Sequence, residues 1–299
     1  MRILVTGVTG QVGGALVARL NGLGTVVPAN RAMLDLTRPA DLSRALDDLA
    51  PDLIINPAAY TAVDKAEDER ELAMRVNGDA PGVLARWAAA RGIPLIHFST
   101  DYVFDGSGER PWREDDTTGP LSVYGASKLA GENAIRDAGE TFLIVRTSWV
   151  YAASGANFLR TIARLARERD ELRIVADQIG APTSAALIAD AVANIVAKGV
   201  EHLRTKCAAA EGLVHLAASG EASWYDFASS IVAGLRSRGI SLAVKRILPI
   251  RTDQYPTRAT RPHNSRLNLG RLRSVFGITP SPWDVALAVE LDQLAQEFA

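Results

Sequence analysis

The sequence has a single cysteine, Cys207, among its 299 residues. One cysteine can form neither an intramolecular disulfide nor a thiolate metal cluster, which is typical of a reducing, cytoplasmic environment. No run of 18 apolar residues is present, and the apolar run that opens the chain ends at Thr6-Gly7. These absences argue against a membrane span and against a signal peptide, so we predict a cytoplasmic protein with no membrane partner.

The sequence also lacks an excess of charge of either sign. It carries 33 Lys and Arg against 34 Asp and Glu, a formal net charge of −1, and no basic block with interleaved aromatic residues. Neither nucleic acid nor an anionic membrane is therefore an expected partner. Hydrophobic residues make up 47% of the chain and charged residues 22%, which is enough apolar material for a large core in one or two domains.

Short β-branched runs alternate with helical patterns through the first half of the chain. The predicted strands are Ile3–Thr6, Thr25–Ala29, Leu53–Asn56, Ile93–Phe98 and Phe142–Thr147. The predicted helices are Gln11–Leu23, Pro39–Leu49, Glu71–Arg91 and the segment that carries Tyr124 and Lys128. This alternation predicts an α/β fold of the Rossmann type, a doubly wound parallel sheet with helices on both faces.

The pattern loosens after residue 150. Helices are predicted at Asn157–Glu168, Ala185–Ala197, Ser223–Arg236 and Trp283–Phe298, and short strands at Arg173–Val175, Leu213–Leu216 and Val244–Ile247. We predict that residues 1–150 form a dinucleotide-binding domain, with contributions from the segment near 183–215. Residues 151–299 would form mainly a smaller, substrate-binding region.

A glycine-rich turn separates the first predicted strand from its helix. The segment Thr6–Gly13 reads TGVTGQVG and spaces three glycines as G-x-x-G-x-x-G. The first two glycines let the backbone turn and approach a pyrophosphate, the third lets the helix pack against the strand, and the helix start offers free N–H groups to an anion. The predicted phosphate-binding residues are Gly7, Gly10, Gln11, Val12 and Gly13.

The end of the second predicted strand bears on the choice of nucleotide. An acidic residue there binds a ribose 2′-hydroxyl, whereas an arginine accommodates a 2′-phosphate. This chain has Asn30-Arg31 and no carboxylate before Asp35, with Leu36 placed to meet the adenine edge. We therefore predict NADPH as the cofactor, with NADH as the alternative and a solvated Arg31 as the other interpretation.

Small residues follow the third predicted strand. The segment Ala58-Ala59-Tyr60-Thr61 lies where parallel sheets bind ligands, beyond the carboxyl ends of their strands. Small side chains there let a flat ligand lie against the backbone. We predict that these four residues contact the cofactor; a loop of small residues without a ligand is the alternative.

Three hydroxyl and amine groups form the predicted catalytic set. Thr100 ends the fourth strand, so its hydroxyl can donate to a substrate carbonyl at the same sheet edge. Tyr124 stands four residues before Lys128, one helical turn away on the same face. A phenol beside an ammonium is a usable acid or base near neutral pH. A surface helix pair is the alternative.

Other candidate residues are less specific. Trp149 follows the fifth strand and could stack on a sugar or a base, with a core tryptophan as the alternative. His97 is expected in the core or behind the site. The segment 251–268 carries arginines suited to a diphosphate, with a solubilising surface loop equally compatible. No His, Cys, Asp and Glu set has metal-ligand spacing, so no metal is predicted.

Taken together, these residues resemble the extended short-chain dehydrogenase/reductases, and within them the dTDP-4-dehydrorhamnose reductase family. The resemblance runs nearly end to end, and STDYVF and RTSWVY are specific to that branch. The segments that carry it are TGVTGQVG at 6–13, AAYTAVDKAE at 58–67, STDYVFDG at 99–106, VYGASKLAGE at 123–132, RTSWVY at 146–151, DQIGAPT at 177–183 and YPTRATRPHNSRLN at 255–268.

The resemblance implies reduction of the C4 ketone of a dTDP-4-dehydro sugar by NADPH, the last step of dTDP-L-rhamnose synthesis for cell-surface polysaccharide. Tyr124 would protonate the developing alkoxide, and Thr100 would hold the carbonyl. Lys128 would stabilise the tyrosinate and bind the nicotinamide ribose. The residues implied to meet the sugar are Thr61, Val63, Thr100, Asp101, Tyr124 and Trp149.

The chain departs from the family at one site. Some members dimerise through a magnesium ion held by glutamates, but here the corresponding stretches, Val12–Leu16 and Ser184–Leu187, hold no carboxylate. We therefore expect a monomer or a weak homodimer without a metal link. Three other activities stay open at this stage: a nucleotide-sugar epimerase, a 4,6-dehydratase, and a non-enzymatic regulator like the regulatory subunit of methionine adenosyltransferase.

Overall fold

The computed structural model, which describes residues 1–139 and 141–298, contains a six-stranded, wholly parallel sheet in the order β2-β1-β3-β4-β5-β10. The twelve strands are β1 Arg2–Val5, β2 Thr25–Pro28, β3 Leu53–Asn56, β4 Leu95–Thr100, β5 Phe142–Thr147, β6 Val150–Tyr151, β7 Glu171–Val175, β8 Ile179–Gly180, β9 Thr183–Ser184, β10 Leu213–His215, β11 Ala222–Ser223 and β12 Arg246–Ile250. The strand order reverses between β1 and β3, the point at which such sheets bind ligands. The predicted Rossmann-type fold is confirmed.

Helices cover both faces of this sheet. The helices are α1 Gln11–Leu20, α2 Pro39–Leu49, α3 Val63–Ala66, α4 Arg70–Met74, α5 Ala80–Ala89, α6 Val123–Ala138, α7 Phe158–Glu168, α8 Ala185–Val196, α9 Val200–Ala209, α10 Trp224–Ser237, α11 Gly270–Phe276 and α12 Trp283–Gln296. Alternate residues of β1 point to opposite layers, because side chains alternate along a strand. Ile3 packs in the layer of α1 and α8, and Leu4 in the layer of α2 and α5.

A second apolar core lies outside the six-stranded sheet. It joins α7, α10 and α12 to the parallel pair β7 and β12, and its buried members include Tyr151, Phe227 and Leu291. The predicted strand Val244–Ile247 is wrong by several residues, since β12 runs from Arg246 to Ile250 in register with β7. In the part of the chain that the structure describes, no helix has both the length and the apolarity to cross a bilayer.

The single long helix predicted over Glu71–Arg91 is wrong. The segment begins at Arg70 and ends at Ala89, but a π-helical turn at Arg75–Asp79 separates α4 from α5. Pro81 has no N–H to donate to the carbonyl of Asn77, so regular α-helical bonding fails at this point. A single π turn inside a helix often marks a functional position.

The sequence did not predict three of the helices, α3, α9 and α11, and one predicted helix ends early. Helices α9 and α11 lie where alanines, charges and glycines obscure the apolar period. Helix α1 ends at Leu20 rather than Leu23, because the chain turns there to enter β2. None of these differences moves a residue at the carboxyl edge of the sheet.

Candidate active site

A cleft of about 870 Å³ runs along the carboxyl edge of the sheet, from the end of β2 to the end of β5. The structure brings every residue of the predicted site to the walls of this one cleft. These residues are Gly7, Gly10, Gln11, Val12, Gly13, Asn30, Arg31, Asp35, Leu36, Ala58, Ala59, Tyr60, Thr61, Val63, Thr100, Asp101, Tyr124, Lys128 and Trp149. Their roles toward a ligand stay predictions, whereas their common location is a feature of the fold.

The three glycines of the turn after β1 serve different purposes. Gly7 has φ +57°, and a Cβ there would lie 2.8 Å from the Ala58 Cα. A Cβ on Gly13 would lie 2.2 Å from the Gly7 carbonyl oxygen, so both glycines are required by the packing of the turn itself. Gly10 begins α1, which has neither a side-chain cap nor an acidic residue in its first turn. The free N–H groups of that turn therefore face the cleft, as an anion would require.

Asn77, on the π turn, holds the loop that follows β3. Its side-chain Oδ1 accepts from the Tyr60 backbone N at 2.8 Å, and its Nδ2 donates to the Tyr60 carbonyl oxygen at 3.0 Å. The same Nδ2 lies 3.0 Å from Ser127 Oγ, next to Lys128 on α6. This fully buried amide thus ties two walls of the cleft together. Sequence reasoning missed Asn77, because one polar residue inside a helical pattern carries no signal of its partners.

We expect Asn77→Leu to loosen the cleft as well as the fold. The change leaves the Tyr60 backbone groups buried without a partner, at a cost of about 2–4 kcal/mol in the free energy of unfolding, and NADPH affinity should fall about tenfold. The matched control is Asn264→Leu, which removes another buried amide but one that ties down Ser107 and Arg110 away from the cleft. Thermal melts and fluorescence titration with NADPH compare the two. Equal NADPH affinities in both variants would contradict the role given to Asn77.

The corner of the cleft at the end of β2 holds an exposed arginine. The Arg31 Nε lies 3.3 Å from Asp35 Oδ1, and its side chain is 76% exposed. Asp35 is also held by Thr37, whose backbone N and Oγ1 donate to Oδ1 at 3.0 and 2.7 Å. Asn30 caps the turn, its Oδ1 accepting from the backbone N–H groups of the next residues. Arg31 is thus an exposed cation on a flexible stem, with long contacts to Asp35 and, at 3.4 Å, to Thr37 Oγ1, and it can move to meet a phosphate.

Helix α6 carries Tyr124 and Lys128 into the cleft. Ser122 caps the helix, its Oγ accepting from Gly125 N at 3.2 Å, and so fixes the turn on which Tyr124 stands. Lys128 is only 2% exposed, and its Nζ lies 3.1 Å from His97 Nε2. Burial lowers the pKa of Lys128 to about 8, an effect that the carboxylate of Glu132 opposes. The Lys128 ammonium therefore loses its proton more readily than that of a solvated lysine.

Tyr124 is held in its protonated form. Burial raises the pKa of the Tyr124 phenol far above its usual value, the charge of Asp101 adds to this effect, and a hydrogen bond with Thr100 opposes it. The phenol therefore keeps its proton at neutral pH in the free protein, and a bound carbonyl oxygen that gains negative charge is needed to draw the proton off. Thr100 lines the same cleft, and its Oγ1 donates to Asp101 Oδ1 at 2.9 Å, so the catalytic roles of Thr100 and Tyr124 stay predictions.

Several polar atoms of the cleft are buried without a hydrogen-bond partner. They are Asp101 Oδ2, Thr147 Oγ1 and Ser148 Oγ, at the ends of β4 and β5. Burial raises the pKa of the Asp101 carboxyl to about 6, which hydrogen bonds from Ser265 and Thr100 oppose. Buried polar groups normally find partners, so these atoms point to a ligand that supplies them. The donor and acceptor set fits the polar groups of a nicotinamide and a sugar. Thr147 and Ser148 were absent from the predicted site.

Trp149 lies at the cleft wall, where its indole stacks on another tryptophan. Trp224 covers one face, with ring centroids 3.6 Å apart and an interplanar angle of 9°. Gly180 also packs closely, since a Cβ there would lie 2.6 Å from the indole. Trp149 itself has φ +48°, a strained value for a bulky residue. One face of the indole is therefore already occupied in the free protein. Trp224 also lines the cleft and was missed, because nothing in its local sequence connects it to Trp149.

The arginines of the 251–268 segment are paired with carboxylates. Arg261 Nη2 lies 2.7 Å from Asp64 Oδ2, Arg266 Nη1 lies 3.2 Å from Glu221 Oε2, and Arg258 contacts Asp68. None of the three lines the cleft in the described chain, so its wall offers no arginine from this segment to a diphosphate. Over residues 1–139 and 141–298, no group of three His, Cys, Asp or Glu side chains is placed to hold a metal ion.

Comparison with known proteins gives one consistent result. The family described as the RmlD substrate binding domain matches residues 1–296. The chain is 48% identical to a dTDP-4-dehydrorhamnose reductase of Burkholderia thailandensis over 291 residues, 97% of each chain. It is 42% identical to a protein of the same name from Escherichia coli over 298 residues, 98% of each.

Solved structures agree with these relatives. A dTDP-4-dehydrorhamnose reductase from Bacillus anthracis, determined in complex with NADP, superposes with a TM-score of 0.87. It shares 32% sequence identity, and the match covers 98% of this chain and 99% of that one. A reductase of the same name from Clostridium acetobutylicum superposes with a TM-score of 0.88 at 35% identity, over 98% of this chain and 99% of the other.

Proposed function

Because this chain belongs to the RmlD substrate binding domain family, we propose that it reduces the C4 ketone of dTDP-4-dehydro-β-L-rhamnose to dTDP-β-L-rhamnose, with NADPH as the reductant. The observation that carries the proposal is the arrangement of Thr100, Tyr124 and Lys128 at the same edge of the sheet as the glycine turn. Relatives at up to 48% identity bear the name of this activity, and one was solved with NADP.

The mechanism follows from the electrostatics of these side chains. Bound NADPH supplies the hydride to the C4 carbon. Tyr124, whose pKa is raised by burial, gives its proton to the carbonyl oxygen as negative charge develops there. Lys128 stabilises the resulting tyrosinate. The Thr100 hydroxyl, which donates to Asp101 Oδ1 at 2.9 Å in the free protein, would turn to hold the carbonyl. Stabilising charge where it develops is usually the largest catalytic contribution.

The substrate would lie between the ends of β3, β4 and β5. We propose that Thr61, Val63, Asp101 and Trp149 contact the sugar, since all four line the cleft near Tyr124. The unpaired Asp101 Oδ2 would accept from a sugar hydroxyl. We also propose that residues 1–150 hold the cofactor with help from 183–215, that 151–299 mainly hold the substrate, and that the protein is a monomer or a weak homodimer.

Coupled consumption of NADPH tests this function. The experiment follows NADPH absorbance with enzyme and dTDP-4-dehydrorhamnose, and identifies the product by mass and NMR. We expect one NADPH consumed for each ketone reduced. An epimerase or a 4,6-dehydratase would convert its substrate without net consumption of nicotinamide, and a regulator would consume none. Either of those results would contradict the proposal.

Nucleotide preference should depend on Arg31. We expect Arg31→Ala to raise the KM for NADPH about tenfold and to leave the KM for NADH within about twofold, because only NADPH has a 2′-phosphate to pair with the guanidinium. The matched control is Arg38→Ala, which removes another exposed arginine that pairs only with Asp41. Steady-state kinetics with both cofactors measures the difference. An unchanged KM for NADPH in Arg31→Ala would contradict this assignment.

A further inference from the structure

A chain of buried hydrogen bonds runs behind Lys128 to the first strand of the sheet. Lys128 Nζ lies 3.1 Å from His97 Nε2, and His97 Nδ1 lies 3.0 Å from Asn56 Nδ2. The Thr6 hydroxyl then donates to Asn56 Oδ1 at 2.6 Å. Asn56 and His97 are fully buried, and Thr6 and Lys128 are only 2% exposed. This chain therefore joins the lysine to the residue that begins the glycine turn.

A neutral His97 ring carries one N–H proton, whereas both of its ring nitrogens have a polar neighbour. Burial and then the charge of Lys128 lower the pKa of His97 well below its usual range, so the ring is neutral. A neutral imidazole donates from one nitrogen and accepts at the other. When the Asn56 amide nitrogen donates to Nδ1, the ring proton must lie on Nε2, an arrangement that fits only an uncharged Lys128 amine. When Lys128 takes up a proton, Nε2 must accept, so the ring proton has to lie on Nδ1 and face the Asn56 carbonyl oxygen.

We propose that His97 is a positioning residue for Lys128. Its Nε2 accepts a hydrogen bond from the Lys128 ammonium, and Asn56 stabilises the required tautomer by turning its amide. The protonation of Lys128 is thereby coupled to the His97 tautomer and to the orientation of the Asn56 amide. The role in catalysis rests on the proposed function, because it is the charged lysine that stabilises the tyrosinate and binds the ribose.

The other charged groups near Lys128 have direct partners of their own, although the charge of Glu132 still raises the pKa of Lys128. Glu132, one turn further along α6, forms a buried ion pair with Arg146 of β5. Asp101 at the end of β4 acts on Tyr124, and Arg261 pairs with Asp64 and contacts Tyr102. His97 is the group in direct hydrogen-bond contact with Nζ. Removal of an acceptor from a buried ammonium lowers its pKa, because the hydrogen bond favours the charged form.

The coupling can be measured without catalysis. The chain has four histidines, so long-range nitrogen–proton NMR of the full chain resolves each ring, and His97→Gln identifies the signals of His97. From about pH 6 to about pH 10 we expect the two His97 ring nitrogens to shift in opposite directions, because the ring proton moves from one nitrogen to the other. The Lys128→Met variant should abolish this shift. His97 signals that stay constant with pH, or that titrate equally in Lys128→Met, would overturn the proposal.

Kinetics then tests the link to the reaction. In His97→Leu the alkaline limb of kcat/KM should move about one unit toward lower pH, giving roughly tenfold lower activity above pH 8. His97→Gln, which keeps an acceptor near the Nε2 position, should restore much of it. The control is His215→Leu, a second fully buried histidine that contacts Trp112 and lies away from the cleft. It should lose stability and keep its pH profile.

These outcomes separate the two hypotheses. If wild-type protein does not oxidise NADPH with the dehydro sugar, the proposed function fails, while the NMR titration still decides the role of His97. If wild-type protein turns over and His97→Leu keeps the wild-type pH profile, the positioning role fails. Equal losses at every pH in His97→Leu and His215→Leu would assign His97 to folding alone and would also overturn the proposal.

Discussion

Replacement of Tyr124 by phenylalanine is expected to lower kcat by at least about 100-fold, while the Kd for NADPH stays within about threefold. The change removes one oxygen and keeps the ring that packs edge-on against Tyr102, with centroids 5.5 Å apart. The wall of the cleft therefore stays in place. Water would be the remaining proton source for the alkoxide, and Thr100 would still hold the carbonyl. Single-turnover kinetics and fluorescence titration separate the chemical step from binding.

Tyr151→Phe is the matched control for this loss. Tyr151 is fully buried in the second core, and its hydroxyl lies away from the cleft. Loss of that hydroxyl should leave kcat within about twofold of wild type. A Tyr124→Phe enzyme with wild-type turnover would show that another group donates the proton, and the catalytic assignment of Tyr124 would be wrong.

Glu132→Leu is expected to destabilise the protein by about 3–5 kcal/mol. Arg146 donates to Glu132 from Nε at 2.8 Å and from Nη2 at 2.6 Å, and Ser99 Oγ donates to the same carboxylate at 2.5 Å. The Glu132 and Arg146 side chains are 0% and 2% exposed. Loss of the glutamate therefore leaves a guanidinium buried without its counter-charge. The midpoint of thermal unfolding should fall by roughly 6–15 °C.

Two further variants test whether the loss of stability arises because the ion pair between Glu132 and Arg146 is buried. Glu168→Gln breaks an ion pair with Arg164 in which the side chains are 52% and 60% exposed, and it should change stability by less than about 0.5 kcal/mol. The double variant Glu132→Leu with Arg146→Met removes both charges and should recover most of the loss. A Glu132→Leu variant that melts within about 2 °C of wild type would show that water reaches the Arg146 guanidinium.

The parts of the site that could be predicted from the sequence are those whose geometry depends on residues close together in the chain. Gly7 and Gly13 have no room for a side chain because the turn packs on itself, so the glycine pattern marks the turn wherever it occurs. Thr100 could be placed because it ends a buried strand. Tyr124 and Lys128 could be paired because their spacing corresponds to one helical turn. In each case the position of the functional group depends on local backbone geometry, which the sequence pattern predicts directly.

The other residues of the site depend on contacts between segments that are distant in the sequence. Asn77, on the π turn, acts on Tyr60, 17 residues away. His97 reaches Asn56 across two paired strands, 41 residues apart. Trp224 meets Trp149 through packing of the second core against the sheet edge. No period or motif encodes such pairs, since each depends on how elements pack rather than on how they form.

The stacking of Trp149 on Trp224 has a consequence for the circular dichroism of the protein. Two indoles stacked 3.6 Å apart couple their electronic transitions, so this pair should dominate the near-ultraviolet circular dichroism of the protein. Trp149 follows β5 at the edge of the cleft, and Trp224 begins α10 of the second core. A sugar that separates them on binding would uncouple the transitions, and the chain would report occupancy of its cleft without any attached probe.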